Sequence, residues 1–250
     1  MTTRIACATM ALLISALWLG GCATTMKAST AEELGIQTGF INKTMEVRGT
    51  ERRYAVYVPR NYDPAKPWPL IVFLHGAGER GDDGLLQTEV GLPSAVRRNA
   101  DAFPAVMVMP QCPESGWWDK AFEDIERAYE LTRAQYNIDP RRIYLTGLSM
   151  GGYATWLYGA RHPDRWAALV PICGGGKVED APALAKIPIW AFHGADDSVV
   201  KPEESRKMVE AVKKAGGTIH YTEFEKTDHN SWDAAYRDKK TIKWLFKQVK

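Results

Sequence analysis

Six apolar runs recur along the chain, and most of them stop at glycine, proline or histidine. Pro69-Leu70-Ile71-Val72-Phe73-Leu74 ends in His75-Gly76-Ala77-Gly78, Ala105–Met109 ends at Pro110, and Ile143–Thr146 ends at Gly147. Ala167–Ile172 and Ile187–Phe192 run into Cys173-Gly174 and His193-Gly194, and Thr218–Phe224 closes the series. Runs without polar/apolar alternation belong to strands buried on both faces, as in a parallel sheet covered by helices. Helical patterns fall between them. Phe122–Tyr136 places Phe122, Ile125, Ala128, Tyr129 and Leu131 near helical spacing, with Asp119 as its expected cap. Met150–Ala160, Pro202–Ala215 (stopped by Gly216-Gly217) and Trp232–Val249 are the others. Upstream, Met45–Arg48 and Arg53–Val58 flank Gly49-Thr50 and predict an antiparallel hairpin. The alternation predicts an α/β fold: one domain over 39–250, with a mainly parallel central sheet covered by helices on both faces.

The amino terminus departs from this pattern. Met1–Arg4 carries one positive charge, an apolar stretch Met10–Leu19 follows, and then comes Gly20-Gly21-Cys22. A charged start, a short apolar stretch and small residues at a cleavage point form the layout of a signal peptide over residues 1–21. The stretch is shorter than the roughly 20 residues that span a bilayer. Leu19-Gly20-Gly21-Cys22 also resembles a bacterial lipobox. That resemblance implies that Cys22 is acylated and becomes the first mature residue, and that Ala23 after it favours export to the outer membrane. The expected product is a periplasmic or outer-membrane lipoprotein of the cell envelope, held at the membrane by its lipid; a plain secretory signal is the alternative. Residues 22–38, mostly small and polar, then read as a tether.

Composition narrows the classes further. With 32 Lys+Arg against 30 Asp+Glu the 250-residue chain carries +2, falling to +1 once Arg4 leaves with the signal. So slight a bias gives no reason to expect a nucleic-acid partner. A mean hydropathy of −0.30 excludes a multi-span membrane protein. Of four cysteines, Cys7 is discarded with the signal and Cys22 is the lipid attachment point. Cys112 and Cys173 remain, either to pair in an oxidising compartment or to serve as small buried residues. No C-x-x-C spacing suggests a metal site.

In an open parallel sheet, ligands bind beyond the carboxyl ends of the strands. At one such end stands Gly147-Leu148-Ser149-Met150-Gly151, a G-x-S-x-G with an apolar strand before it and a helix after it. This is the setting of a nucleophile elbow, whose strained turn lifts a serine hydroxyl clear of the sheet. The following helix aims backbone N–H groups at developing negative charge. A serine hydroxyl is a weak nucleophile that needs a base, itself oriented by a carboxylate. Of the five histidines only His220 and His229 follow the later strands; His220 is fixed on a strand face, so His229, in the loop Thr227–Ser231, is the expected base. Asp196 and Asp197 are both within reach as the acid, and spacing does not choose between them. His193 is expected to order that loop.

Ser149, the aspartate pair and His229 in this strand order resemble the α/β-hydrolase superfamily. His75-Gly76-Ala77-Gly78-Glu79-Arg80-Gly81 and Gly147–Gly152 are similar to bacterial carboxylesterases of the phospholipase/carboxylesterase and polyhydroxybutyrate-depolymerase-like groups, over about residues 40–250. The resemblance implies that Asp197, at the D of H-G-x-x-D-x-x-V, is the acid. It also implies an oxyanion site formed by the backbone N–H groups of Met150 and Ala77, with His75 bracing the loop. Related dienelactone hydrolases use cysteine where this chain has Ser149, which disfavours that activity. Glu79 is a candidate substrate contact, with an ion pair to Arg80 as the alternative. In Gly116-Trp117-Trp118-Asp119, Trp118 is the candidate pocket wall, with plain packing as the alternative. Only Cys173–Lys186 separate Ile172 from Ile187, too few for a large lid. The implied function is a lipid-anchored serine carboxylesterase acting on short-chain, aryl or carbohydrate-linked esters, with no cofactor or metal. A serine peptidase or thioesterase on the same residues, or a non-catalytic envelope-binding lipoprotein, are the rivals.

Overall fold

Arg48 and Gly49, both with positive φ (51° and 73°), join β1 (Gly39–Val47) to β2 (Thr50–Val58) in the two-residue turn that suits twisted hairpins. The pair stays in register from Gly39 opposite Val58 to Val47 opposite Thr50. Both strands are longer than the sequence pattern suggested, and Arg48 turns the chain instead of ending a strand. Next comes β3 (Trp68–Leu74), whose run carries no polar position for a simple reason. It sends Leu70, Val72 and Leu74 into one core and Ile71 and Phe73 into the other.

The computed structural model describes residues 35–250, so the proposed signal peptide and Cys22 lie outside the described residues. The remaining strands are β4 (Val106–Pro110), β5 (Ile138–Leu148), β6 (Ala168–Ile172), β7 (Ile189–Gly194) and β8 (Ile219–Phe224). They form one sheet in the order β1-β2-β4-β3-β5-β6-β7-β8. β2 runs antiparallel to both β1 and β4, and every other neighbouring pair is parallel. This is the α/β-hydrolase architecture.

Among the described residues seven α-helices cover the two faces: α1 (Leu92–Arg98), α2 (Phe122–Gln135), α3 (Met150–Arg161), α4 (Ala181–Leu184), α5 (Glu203–Lys214), α6 (Trp232–Arg237) and α7 (Lys239–Lys247). Ile125, Trp156, Leu184 and Met208 bring α2, α3, α4 and α5 into one core. Leu92, Tyr236 and Leu245 bring α1, α6 and α7 into the other. The expected single helix over Trp232–Val249 is two helices. Asp238 is extended (φ −70°, ψ 112°), and its carboxylate accepts hydrogen bonds from the N–H of Lys240 and Thr241, which caps α7 and breaks the run. Asp119 does not cap α2; it lies in a 3-10 turn, Trp118–Lys120, and pairs with Lys120. Between β6 and β7 the chain forms a 3-10 turn, Val178–Asp180, and the short α4, whose Leu184 is fully buried in the core. No large lid covers the sheet there.

Candidate active site

Ser149 joins β5 to α3 at φ 52° and ψ −118°, left-handed backbone that costs a non-glycine residue about 1–3 kcal/mol. The surroundings hold it there. Its N–H donates to Ile172 O at 3.0 Å and to Cys173 Sγ at 3.3 Å, tying the turn to the end of β6. A Cβ on Gly151 would sit 1.9 Å from Leu74 O, and one on Gly147 would sit 2.3 Å from Gly151 O. Only glycine permits such close approach of backbones, so both glycines of G-x-S-x-G are steric requirements of the turn. Met150, first residue of α3, has an N–H that no residue of its own helix can accept.

The loop after β8 brings His229 to Ser149. His229 Nε2 lies 2.9 Å from Ser149 Oγ, and His229 Nδ1 lies 2.8 Å from Asp197 Oδ2. Asp197 is 3% exposed, whereas Asp196 faces solvent, so the tertiary structure settles which aspartate meets the histidine. Asp197 Oδ1 accepts the N–H groups of Val199 and Val200, leaving Oδ2 to face His229 and the buried His193, whose Nε2 is 3.2 Å away. His193 also bonds Val200 O (2.9 Å) and Ser205 Oγ (2.7 Å), so it does order this loop. Burial lowers its pKa, opposed by Val200 O and Asp197. Asp228 belongs to no sequence motif of its own. Its Oδ1 accepts hydrogen bonds from Ser198 N, Ser198 Oγ and His229 N, clamping the histidine loop to the aspartate loop. Its only sequence signal is adjacency to His229. The resulting line of atoms, Oγ to Nε2 and Nδ1 to Oδ2, can pass the serine proton to the imidazole while the carboxylate fixes the ring's tautomer.

His75 braces its loop from inside. Its Nδ1–H donates to Gly76 O at 2.6 Å, its Nε2 accepts Cys112 N–H at 2.9 Å, and Trp118 Nε1–H donates to His75 O at 3.0 Å. Arg80 reaches Ala77 O (2.9 Å) and Gly116 O (3.3 Å), not Glu79. These bonds shape a cavity of about 970 Å³ that opens over Ser149 and is also lined by Ala77, Met150, Trp117 and Trp118. Trp118 is 1% exposed and Trp117 55%. Pocket wall and packing are therefore compatible roles for Trp118. Glu79 does not line this cavity. Its carboxyl is half-buried beside Gly76, where burial raises its pKa and the N–H groups of Gly76 and of Glu79 itself oppose the shift. Arg52, Asp124, Tyr153 and Leu157 line the cavity instead. They lie on β2, α2 and α3, and no local motif marks them.

Cys112 and Cys173 are both free and buried, in cores on opposite faces of the sheet, so they do not pair. Among the described residues one set of potential metal ligands converges, Cys173, Asp197 and His229, within 4.8 Å of one another. It is poorly suited to a metal. Burial pushes the Cys173 thiol up to about 12, so it stays protonated, and the other two groups bond each other.

Burial also pushes His75 down from 6.5 to about 4. The unfolded chain therefore binds a proton between these values that the folded chain does not. Stability from this group is complete above pH 6.5 and is lost as pH falls towards 4, by up to about 3 kcal/mol. Urea denaturation at pH 7 and pH 4.5 should show this loss in the wild type, and His75→Gln, which cannot titrate, should show a shallower dependence. Equal slopes in the two proteins would contradict the assignment.

Similarity to known proteins fits this geometry. The chain is 28% identical over 169 residues to the bifunctional acetylxylan esterase/xylanase XynS20E of Neocallimastix patriciarum, covering 66% of this chain and 24% of that protein. It is 24% identical to feruloyl esterase D of Neurospora crassa, over 70% of this chain and 63% of that one. It thus spans less than two thirds of the length of either relative. A crystal structure of a thermostable esterase superposes with a TM-score of 0.77 at 38% identity, over 84% of this chain and 63% of that one. Residues 91–240, which run from α1 through Ser149 and Asp197 to His229, match the model of the dienelactone hydrolase family, and the chain belongs to that family.

Proposed function

We propose that the protein is a serine carboxylesterase acting on short-chain, aryl or carbohydrate-linked esters through an acyl-enzyme. The observation that carries this reading is the Ser149–His229–Asp197 alignment, with Ser149 lining an open cavity. In the proposed reaction His229 Nε2 takes the proton from Ser149 Oγ as the oxygen attacks the ester carbonyl. The N–H groups of Ala77 and Met150 receive the oxyanion. His229 then returns the proton to the departing alcohol, and water, activated in turn by His229, releases the acid. Asp197 holds the imidazole and balances its transient charge. The acetylxylan and feruloyl esterase relatives support ester substrates, and the volume of the cavity suits a ligand of drug-like size.

The test is direct. Purified protein should give a burst of p-nitrophenol from p-nitrophenyl acetate, and a fluorophosphonate probe should label the peptide that contains Ser149. Absence of both would refute the reading. The sequence of residues 1–22 supports a lipid anchor at Cys22 and a place in the cell envelope as part of this proposal. Labelled palmitate should enter the wild-type chain and not Cys22→Ser; equal incorporation would exclude that anchor.

A further inference from the structure

The cavity at Ser149 also reaches an ion pair that the proposed reaction does not use. Arg52, on β2, and Asp124, in the first turn of α2, both line it. Arg52 Nε lies 3.2 Å from Asp124 Oδ1, and apart from this ion pair each of the two buried atoms is without a hydrogen-bond partner. Asp124 is 5% exposed. Burial pushes its carboxyl upward and the Arg52 charge opposes the shift. A buried ion pair whose atoms have nothing but each other to answer them is costly to the fold, and such groups are found at sites that meet a ligand.

Their chemistry restricts that ligand. A carboxylate would gain from Arg52 but be repelled by Asp124, and an ammonium would meet the reverse conflict. A neutral hydroxyl has one proton to give and lone pairs to accept with, which answers Asp124 Oδ1 and Arg52 Nε–H together. The same cavity is lined by Trp117 and Trp118, with Tyr153 and Leu157 from α3, a set of apolar and aromatic side chains that favours a flat aromatic group. We propose that Arg52 and Asp124 form a specificity subsite that reads a hydroxyl on an aromatic acyl group whose ester carbonyl is held at Ser149. The inference rests on the esterase reading and adds the class of acyl group.

The experiment compares kcat/KM for methyl cinnamate, methyl 4-hydroxycinnamate and methyl 4-methoxycinnamate, with p-nitrophenyl acetate as reference. Wild-type enzyme should prefer the hydroxylated ester over the unsubstituted one by roughly tenfold or more, the size expected for hydrogen bonds to charged groups. The methoxy ester, which cannot donate to Asp124, should lose that preference; this arm needs no substitution. In the double variant Arg52→Met/Asp124→Leu, which replaces the ion pair with apolar groups of similar size, the ratio of hydroxylated to unsubstituted ester should fall to about one. Each ratio is taken within a single protein, so a general loss of active enzyme cancels. Turnover of p-nitrophenyl acetate without discrimination by wild type, or discrimination that survives in the double variant, overturns the subsite and leaves the esterase reading standing. No turnover of any ester overturns both.

Discussion

Ser149→Ala is expected to lower kcat for p-nitrophenyl acetate by about 10⁴-fold or more, with KM little changed. The substitution removes only Oγ, and with it the covalent route through the acyl-enzyme. The cavity walls and the N–H groups of Ala77 and Met150 stay in place, so substrate still binds and a small residual hydrolysis by water persists. The backbone at position 149 keeps φ near 52°, because Ile172 O and the contacts of Gly147 and Gly151 hold it there whatever the side chain. Alanine therefore neither relieves the strain nor adds to it, and thermal stability should be nearly unchanged. A variant that kept activity within tenfold of wild type would show that Ser149 is not the nucleophile.

Asp197→Asn is expected to cost about 10³- to 10⁴-fold in kcat, whereas Asp196→Asn should cost less than about twofold. The reason lies in which oxygen is bound to what. Asp197 Oδ1 accepts two backbone N–H groups, from Val199 and Val200, so in asparagine the amide oxygen must take that place. The amide NH₂ is then turned towards His229 Nδ1 and His193 Nε2. A donor facing Nδ1 forces the imidazole proton onto Nε2, the nitrogen that must accept from Ser149. The ring remains in position in the wrong tautomer, so the loss should fall on kcat, with far-ultraviolet circular dichroism unchanged. Asp196 faces solvent and makes no side-chain contact to His229. Equal losses in the two variants would argue that the damage is to the loop and not to the relay.

The two cores explain which elements could be read in advance. β3, β4 and β6 are buried on both faces, so their sequences are uninterrupted apolar runs that need no tertiary information to recognise. α1 leaves little mark on the sequence because it is seven residues long, opens with Leu92-Pro93 and buries Leu92, Pro93, Ala95 and Val96 in one short stretch. The Asp238 break is equally silent, because a capping aspartate inside an amphipathic run looks like one more polar-face residue. Glu79 shows a different limit: proximity in sequence to the oxyanion loop says nothing of which way a side chain turns, and this one packs against the backbone of Gly76.

By itself the sequence determined the parallel sheet, the elbow at Ser149 and His229 as its partner, because burial on both faces and close glycine packing leave local marks on residue type. It named Asp197 only through family likeness. Tertiary structure decided what depends on distance and direction across the chain: Asp197 meeting the imidazole while Asp196 faces water, Cys112 and Cys173 lying on opposite faces, Asp228 clamping two loops. Arg52 and Asp124 belong to the same group, since 72 positions separate them in sequence and only the packing of α2 against the hairpin brings β2 and α2 to one cavity. Residue type follows local burial, but a site is a meeting of segments, and which side chains face each other there is set by the packing of the whole fold.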